Sequence, residues 1–227
     1  MVGSLPPSAA DLTAFPLPRR PLDATASGGA AVRHWYENVL GWPTVPASTP
    51  EPPLRLRLGL RFDVLDVPVE AGRAALRHLT GASPVALRGN RMELLVAAGG
   101  TEELPGLLDW LEWGTLALDL RAIGAGGVLE APLPPEGGVG AGGLVDRSPA
   151  AEAGREEGTR RPLVPGRPGA PQGAAVWLRP PEPGCEVEAS LPTVSALGGG
   201  GGAPDLVRVV DTVATQCHRL RLRHARL

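Results

Sequence analysis

The sequence contains no lysine, so all 22 of its basic residues are arginine, and it has one isoleucine and two asparagines. This usage is typical of a chain encoded in a high-GC bacterial genome, and it carries no functional information by itself. With 24 acidic residues the formal net charge is −2. A charge this close to zero argues against attraction of nucleic acid by the surface as a whole.

Cysteines and long apolar runs are also scarce. The two cysteines, Cys185 and Cys217, form no CxxC motif, which excludes a disulfide framework and indicates a reducing compartment. No apolar run approaches the roughly 20 residues that a membrane-spanning helix needs, and the N-terminus lacks the pattern of a signal peptide. We therefore expect a cytoplasmic protein that does not interact with a membrane.

Glycine and proline are abundant, with 31 and 26 residues in a chain of 227. Residues 1–27 are rich in Pro, Ala and Ser without periodicity, and residues 135–173 have almost no large apolar side chains. Such composition cannot bury enough apolar surface to fold, so both segments are predicted to be disordered. The remainder predicts a single domain over residues 28–222, interrupted by the insertion at 135–173.

Four segments show the spacing of an amphipathic helix. They are residues 28–40, ended by Gly41; residues 70–79, closed by Gly81; residues 101–114, capped by Thr101 and ended by Gly114; and a last helix that begins near Pro204. One face of the last helix is apolar, with Leu206, Val209, Val210, Val213, Cys217 and Leu220.

The segments between the helices predict strands. Leucines and arginines alternate from Leu54 to Val64, which indicates one long strand, and Gly89-Asn90 predicts a hairpin turn. Further strands are expected at about 115–121 and 127–131 and in "AAVWLRPP". Together the elements predict an α/β (α+β) fold, with a mixed sheet covered by helices.

Three carboxylates are placed where strands are expected to end: Asp63, Asp66 and Asp119. Such a set could hold Mg²⁺ or Mn²⁺ for nucleotidyl transfer. Residues three apart on a regular strand point to opposite faces, so Asp63 and Asp66 could share one metal only across a bulge. In the alternative interpretation Asp63 joins the exposed arginine face of the strand and Asp66 caps the following helix.

Five motifs in order, "GWPTVP", "FDVLDVPVEAG", "GNRMELLV", "LDLRAIGAGGVLEAPLP" and "AVWLRPP", resemble the N-terminal domain of bifunctional DNA primase/polymerases. These prim-pol domains are relatives of archaeo-eukaryotic primases, and the resemblance spans about residues 30–182. It implies a prim-pol-like fold, a catalytic set of Asp63, Asp66 and Asp119, and a metal held by Asp66 and Asp119. It also implies a nucleotide-binding set, formed by Arg91, Arg121, Gly126 and Gly127.

The sequence departs from this family at two essential places. The second carboxylate of the family's Asp-x-Asp pair is missing, because Pro68 follows Asp66 and Leu65 follows Asp63 at that spacing. The family's histidine should fall near Met92, yet no histidine occurs between His78 and His218. Losing both should remove most of the transition-state stabilisation of phosphoryl-type transfer.

Three functional hypotheses follow. The first is a divergent prim-pol-like domain with an incomplete site and weak or no nucleotidyl transfer, which binds a nucleotide or single-stranded DNA. The second is a non-enzymatic regulator on the same scaffold that binds a nucleotide or a partner protein. The third is an active, metal-dependent nucleotidyltransferase with a rearranged site.

Two surface features admit two interpretations each. Trp110 and Trp113 could stack on bases, although packing at the edge of the core is the more common role of such residues. The arginines at 55, 57 and 61 could contact phosphates, or they could simply form the solvated outer face of a sheet.

Overall fold

The computed structural model describes residues 28–46, 53–135, 174–194 and 203–225. The segment 1–27 and all but the first residue of the insertion 135–173, both predicted to be disordered, lie outside these ranges. No helix within the described ranges combines the length and the apolar character needed to cross a membrane.

Seven strands and four α-helices occur in the described residues. The strands are β1 (Arg55–Arg57), β2 (Phe62–Pro68), β3 (Val85–Arg88), β4 (Arg91–Ala97), β5 (Arg121–Ile123), β6 (Val128–Glu130) and β7 (Val176–Arg179). The helices are α1 (Gly28–His34), α2 (Val69–Ala75), α3 (Gly100–Trp110) and α4 (Leu206–His224). A π-helical turn, Trp35–Val39, continues α1, and short 3₁₀ turns lie at Leu76–His78 and Val187–Ser190.

The central sheet has five strands in the order β5-β2-β4-β3-β7, while β1 and β6 form a separate two-stranded ribbon. Every pair of named strands is antiparallel, and parallel contacts among the described residues are limited to two isolated bridges. The predicted combination of a sheet with helices is confirmed, but the sheet is antiparallel rather than mixed.

The prediction of one long strand from Leu54 to Val64 is wrong, because Gly59 divides this segment. Gly59 has a φ of 84°, which glycine adopts without steric cost, and its N–H donates to the Phe62 carbonyl at 3.0 Å. A Cβ at this position would also clash with the backbone of Ala125. The resulting turn sends β1 to pair with β6 and leaves β2 in the central sheet.

Several helices and strands also begin or end at residues other than those predicted. Residues 115–120 contain no strand, so β5 begins only at Arg121. The helix α3 ends at Trp110, and the left-handed residue beyond it is Glu112, with φ 65°, rather than Gly114. The chain after α2 turns extended at Leu79, two residues before Gly81. The hairpin turn is confirmed, since Gly89 has a φ of 59° between β3 and β4.

Two apolar clusters lie on opposite faces of the central sheet. On the helical face, strand residues such as Leu65 and Leu94 pack against α2, α3 and α4. On the aromatic face, Phe62, Val64 and Leu95 pack in one cluster with Trp35, Tyr36 and Trp42. Because successive strand residues point to opposite faces, Asp66 falls on the aromatic face with Phe62 and Val64.

The predicted apolar face of α4 is confirmed. Five of its six residues are buried, and Leu220 packs against the same cluster. Asp205 is the N-cap of this helix, because its Oδ1 accepts a hydrogen bond from the Val207 N–H at 2.8 Å.

Candidate functional site

Charged side chains replace apolar ones at one end of the aromatic face. In the strand register, Asp66 on β2 lies opposite Glu93 on β4 and opposite Arg121 on β5, and Arg88 on β3 lies opposite Arg91. Directly opposed residues of an antiparallel pair share a face. Together with Asp119, which pairs with Arg91, these side chains form a charged cluster of Asp66, Arg88, Arg91, Glu93 and Asp119.

Arg91 joins the two carboxylates that were predicted to hold a metal. Its Nε donates to Asp66 Oδ1 at 2.8 Å, and its Nη1 donates to Asp119 Oδ1 at 2.7 Å. Its Nη2 donates to the Asp66 main-chain carbonyl at 2.7 Å. Burial alone would lower the pKa of Arg91, but the hydrogen bonds to Asp66 and Asp119 raise it. The guanidinium therefore carries a fixed positive charge between three oxygen atoms.

Glu93 is the functional candidate that the sequence analysis missed. Its side chain is fully buried, and its Oε1 lies 3.0 Å from Arg88 Nε in an ion pair. Apart from this ion pair, no described group donates a hydrogen bond to either carboxylate oxygen. Burial raises the pKa of Glu93, the Arg88 charge lowers it, and the neighbouring Asp66 and Glu130 charges raise it further. In the sequence, the signal that could have identified Glu93 was a single acidic residue within the apolar run "MELLV".

Asp63 lies outside the charged cluster. It is buried, and its Oδ2 accepts hydrogen bonds from the Gly99 N–H at 2.9 Å, the Thr101 N–H at 3.2 Å and the Thr101 hydroxyl at 2.8 Å. These donors belong to the start of α3, on the helical face. The structure thus gives Asp63 the role of a helix cap, a role that Thr101 itself was predicted to fill.

The alternative roles considered for Asp63, in an exposed arginine face, and for Asp66, as the cap of the following helix, are both wrong. Asp63 does not join an exposed arginine face, because it is buried. Asp66 does not cap the following helix, because α2 begins after Pro68 without a side-chain cap. The expectation that Asp63 and Asp66 point to opposite faces is confirmed by their different partners.

The glycine turn lies apart from the charged cluster. Gly126 has a φ of 77°, and the Gly127 N–H donates to the Gly124 carbonyl at 2.8 Å. This turn follows β5, beside Asp63 and Gly59, whereas Arg121 stands at the other end of the strand. The predicted nucleotide-binding set is therefore divided, with Arg91 and Arg121 at one end of β5 and Gly126 and Gly127 at the other.

The residues present do not fit a divalent metal. Asp66 Oδ1 and Asp119 Oδ1, the predicted ligands, are both hydrogen-bonded to the Arg91 guanidinium. Across the four described ranges, no group of three or more His, Cys, Asp or Glu side chains is arranged to hold a metal ion. A metal could bind between Asp66 and Asp119 only if Arg91 moved away.

Trp110 is the last residue of α3 and Trp113 lies just beyond it, and the two side chains have different surroundings. Trp113 packs at the edge of the core, where its Nε1 donates to Asp211 Oδ1 at 3.1 Å and its ring lies near His218. Trp110 is 73% exposed, so the core-edge interpretation is wrong for this residue.

The arginines at 55 and 57 are exposed as the outer-face interpretation predicts, whereas Arg61 pairs with Glu188.

Comparison with known proteins identifies no relative of this chain. No protein-family model matches it, and no curated protein or solved structure matches it either.

Proposed function

We propose that this chain is a divergent prim-pol-like domain that binds a nucleotide or single-stranded DNA and has weak or no nucleotidyl-transfer activity. One observation carries the proposal. Asp66, Arg91 and Asp119 come from three separate motifs of the family resemblance, and they meet at one end of the central sheet through a single guanidinium. A shared binding site brings together residues from motifs that are distant in the sequence.

The same contacts argue against efficient transfer. Nucleotidyl transfer relies on metal ions that stabilise the attacking and leaving oxygens. The Arg91 guanidinium binds both carboxylates but cannot coordinate phosphate oxygens together with them. Arg121, in contrast, is exposed and has no ion-pair partner among the described residues. A free guanidinium beside the cluster suits a phosphate group, because its N–H groups match phosphate geometry.

Titration with labelled dNTP and NTP tests this proposal. We expect binding that persists in EDTA, is unchanged by Mg²⁺ or Mn²⁺, and weakens about tenfold in Arg121→Ala, equivalent to about 1.4 kcal/mol. Arg55→Ala, which removes an exposed arginine from the separate β1–β6 ribbon, serves as the matched control and should leave the affinity unchanged.

Two results would contradict the proposal. Binding that requires Mg²⁺ and disappears in Asp119→Ala, together with primer extension, would identify an active nucleotidyltransferase with a rearranged site. Absence of binding to every nucleotide and to single-stranded DNA would remove the prim-pol-like function.

A second candidate function, binding of a protein partner, is favoured by the exposure of Trp110. The outer side of α3 carries Glu102, Glu103 and Asp109, all exposed, and no basic residue occurs from Gly100 to Leu120. Residues four and seven apart lie on one side of a helix. Gly106, which has open space around it, therefore separates the glutamates from Trp110 and leaves the indole uncovered.

The chemistry of this surface fits an arginine-bearing segment of a partner. A guanidinium can stack on the exposed indole and pair with the adjacent carboxylates at the same time. The negative charge of α3 disfavours single-stranded DNA, which would otherwise be a natural partner for an exposed tryptophan.

A short arginine-rich peptide tests this second function. We expect binding that quenches tryptophan fluorescence and falls about two- to fivefold in Trp110→Ala, since an exposed cation–π contact contributes about 0.5–1 kcal/mol. Leu60→Ala, which removes another exposed apolar side chain, is the control. Binding that is equal in wild type and Trp110→Ala would rule out this surface.

A further inference from the structure

We infer that Arg91 is a resident cation, which takes the place of a divalent metal between Asp66 and Asp119. The inference rests on contacts within the charged cluster, and it holds whether or not the domain binds a nucleotide. Its three hydrogen bonds reach two carboxylate oxygens and one main-chain carbonyl oxygen. Oxygen atoms of these two kinds are the ligands that hard divalent cations prefer.

The charge balance of the cluster explains why a cation is required there. Three carboxylates, Asp66, Glu93 and Asp119, pair with two guanidinium groups, and Arg88 is already paired with Glu93. Arg121 on β5 lies opposite Asp66 but forms no ion pair with a described residue. The Asp66 side chain is only 3% exposed. A carboxylate with so little access to water requires an opposite charge or a proton. Arg91 supplies that charge from within the chain.

Glu93 adds a third carboxylate to the charged cluster. It is fully buried, it lies opposite Asp66 in the strand register, and its one described partner is Arg88. If the Arg91 side chain were removed, Asp66 and Asp119 would have no ion-pair partner among the described residues. We therefore expect removal of Arg91 to convert the cluster into a site that binds a divalent cation.

The test is a titration of metal-free Arg91→Ala with Mn²⁺, followed by thermal unfolding and by the Mn²⁺ signal in electron paramagnetic resonance. We expect the variant to bind Mn²⁺ and its Tm to rise by about 3–6 °C at a concentration tenfold above Kd. Wild type and Arg91→Lys, which keeps a cation at this position, should show neither effect. The double variant Arg91→Ala/Asp119→Asn should lose most of the response.

Equal Mn²⁺ binding by wild type and Arg91→Ala would overturn the inference, and so would absence of binding by the variant. If Arg91→Ala does not fold, Arg91→Met is titrated instead, because it retains an aliphatic side chain of similar length and removes the guanidinium. None of these measurements contains a nucleotide, so their outcome is independent of the nucleotide-binding result.

Discussion

Replacing Asp66 by alanine is expected to lower the free energy of unfolding by about 3–5 kcal/mol, whereas replacing Asp119 by alanine should lower it by less than about 1 kcal/mol. Both carboxylates bind the same guanidinium, at 2.8 and 2.7 Å. They differ in burial, since the Asp66 side chain is 3% exposed and that of Asp119 is 61% exposed. Water can replace the Asp119 contact but not the Asp66 contact.

Urea denaturation of the two variants measures this difference. Asp66→Asn is the control for volume, because it keeps an acceptor for Arg91 while removing the charge, and it should lie between wild type and Asp66→Ala. Comparable losses for Asp66→Ala and Asp119→Ala would mean that solvent reaches both sides of Arg91, contrary to the burial described above.

Replacing Asp63 by alanine is expected to cost about 3 kcal/mol, which exceeds the usual effect of a helix cap. One carboxylate oxygen accepts three hydrogen bonds from Gly99 and Thr101, and its removal would leave donors without partners at a site that water does not reach. The change should appear in urea denaturation as a lower midpoint, with loss of helical signal in circular dichroism near the transition.

Asp205 provides the comparison for this prediction. It caps α4 through one hydrogen bond to the Val207 N–H, and its side chain is about half exposed. Asp205→Ala should therefore cost about 0.5–1 kcal/mol, the usual effect of a cap at the surface. If Asp63→Ala were no more destabilising than Asp205→Ala, the structural role of Asp63 would be refuted, and its assignment to a catalytic set would regain support.

Elements whose signals are local could be predicted from the sequence. The apolar face of α4 follows from residues three and four apart, and the turn between β3 and β4 follows from the dipeptide Gly89-Asn90. In both cases the residues that determine the conformation lie next to each other in the chain. The predicted helix after residue 28 is found as α1 and its π-helical continuation for the same reason.

Features that depend on distant contacts could not be predicted. The alternation of leucine and arginine is continuous across Gly59, and only the approach of Ala125 shows why the chain must turn there. The acid Asp63 caps a helix that begins 37 residues later at Gly100. No spacing rule connects these positions, because the pairing of β2 with its neighbours brings them together.

The residues of the candidate site could be predicted from the sequence, but the contacts between them could not. Asp66, Arg91 and Asp119 were each selected from the motifs, yet two were assigned to a metal and one to a nucleotide. Their mutual pairing depends on the register that sets Asp66 opposite Glu93 and Arg121. A slip of one residue in this register would move Asp66 to the helical face and break the contact.

The two outer strands of the central sheet also determine how the molecule behaves at high concentration. An exposed strand edge can template pairing with another chain, and short edges beside charge or proline suppress it. Here β5 has three residues and begins with the exposed Arg121, while β7 has four and is followed by Pro180 and Pro181. Each edge therefore offers few free backbone groups, and this disfavours strand addition at both sides of the open five-stranded sheet.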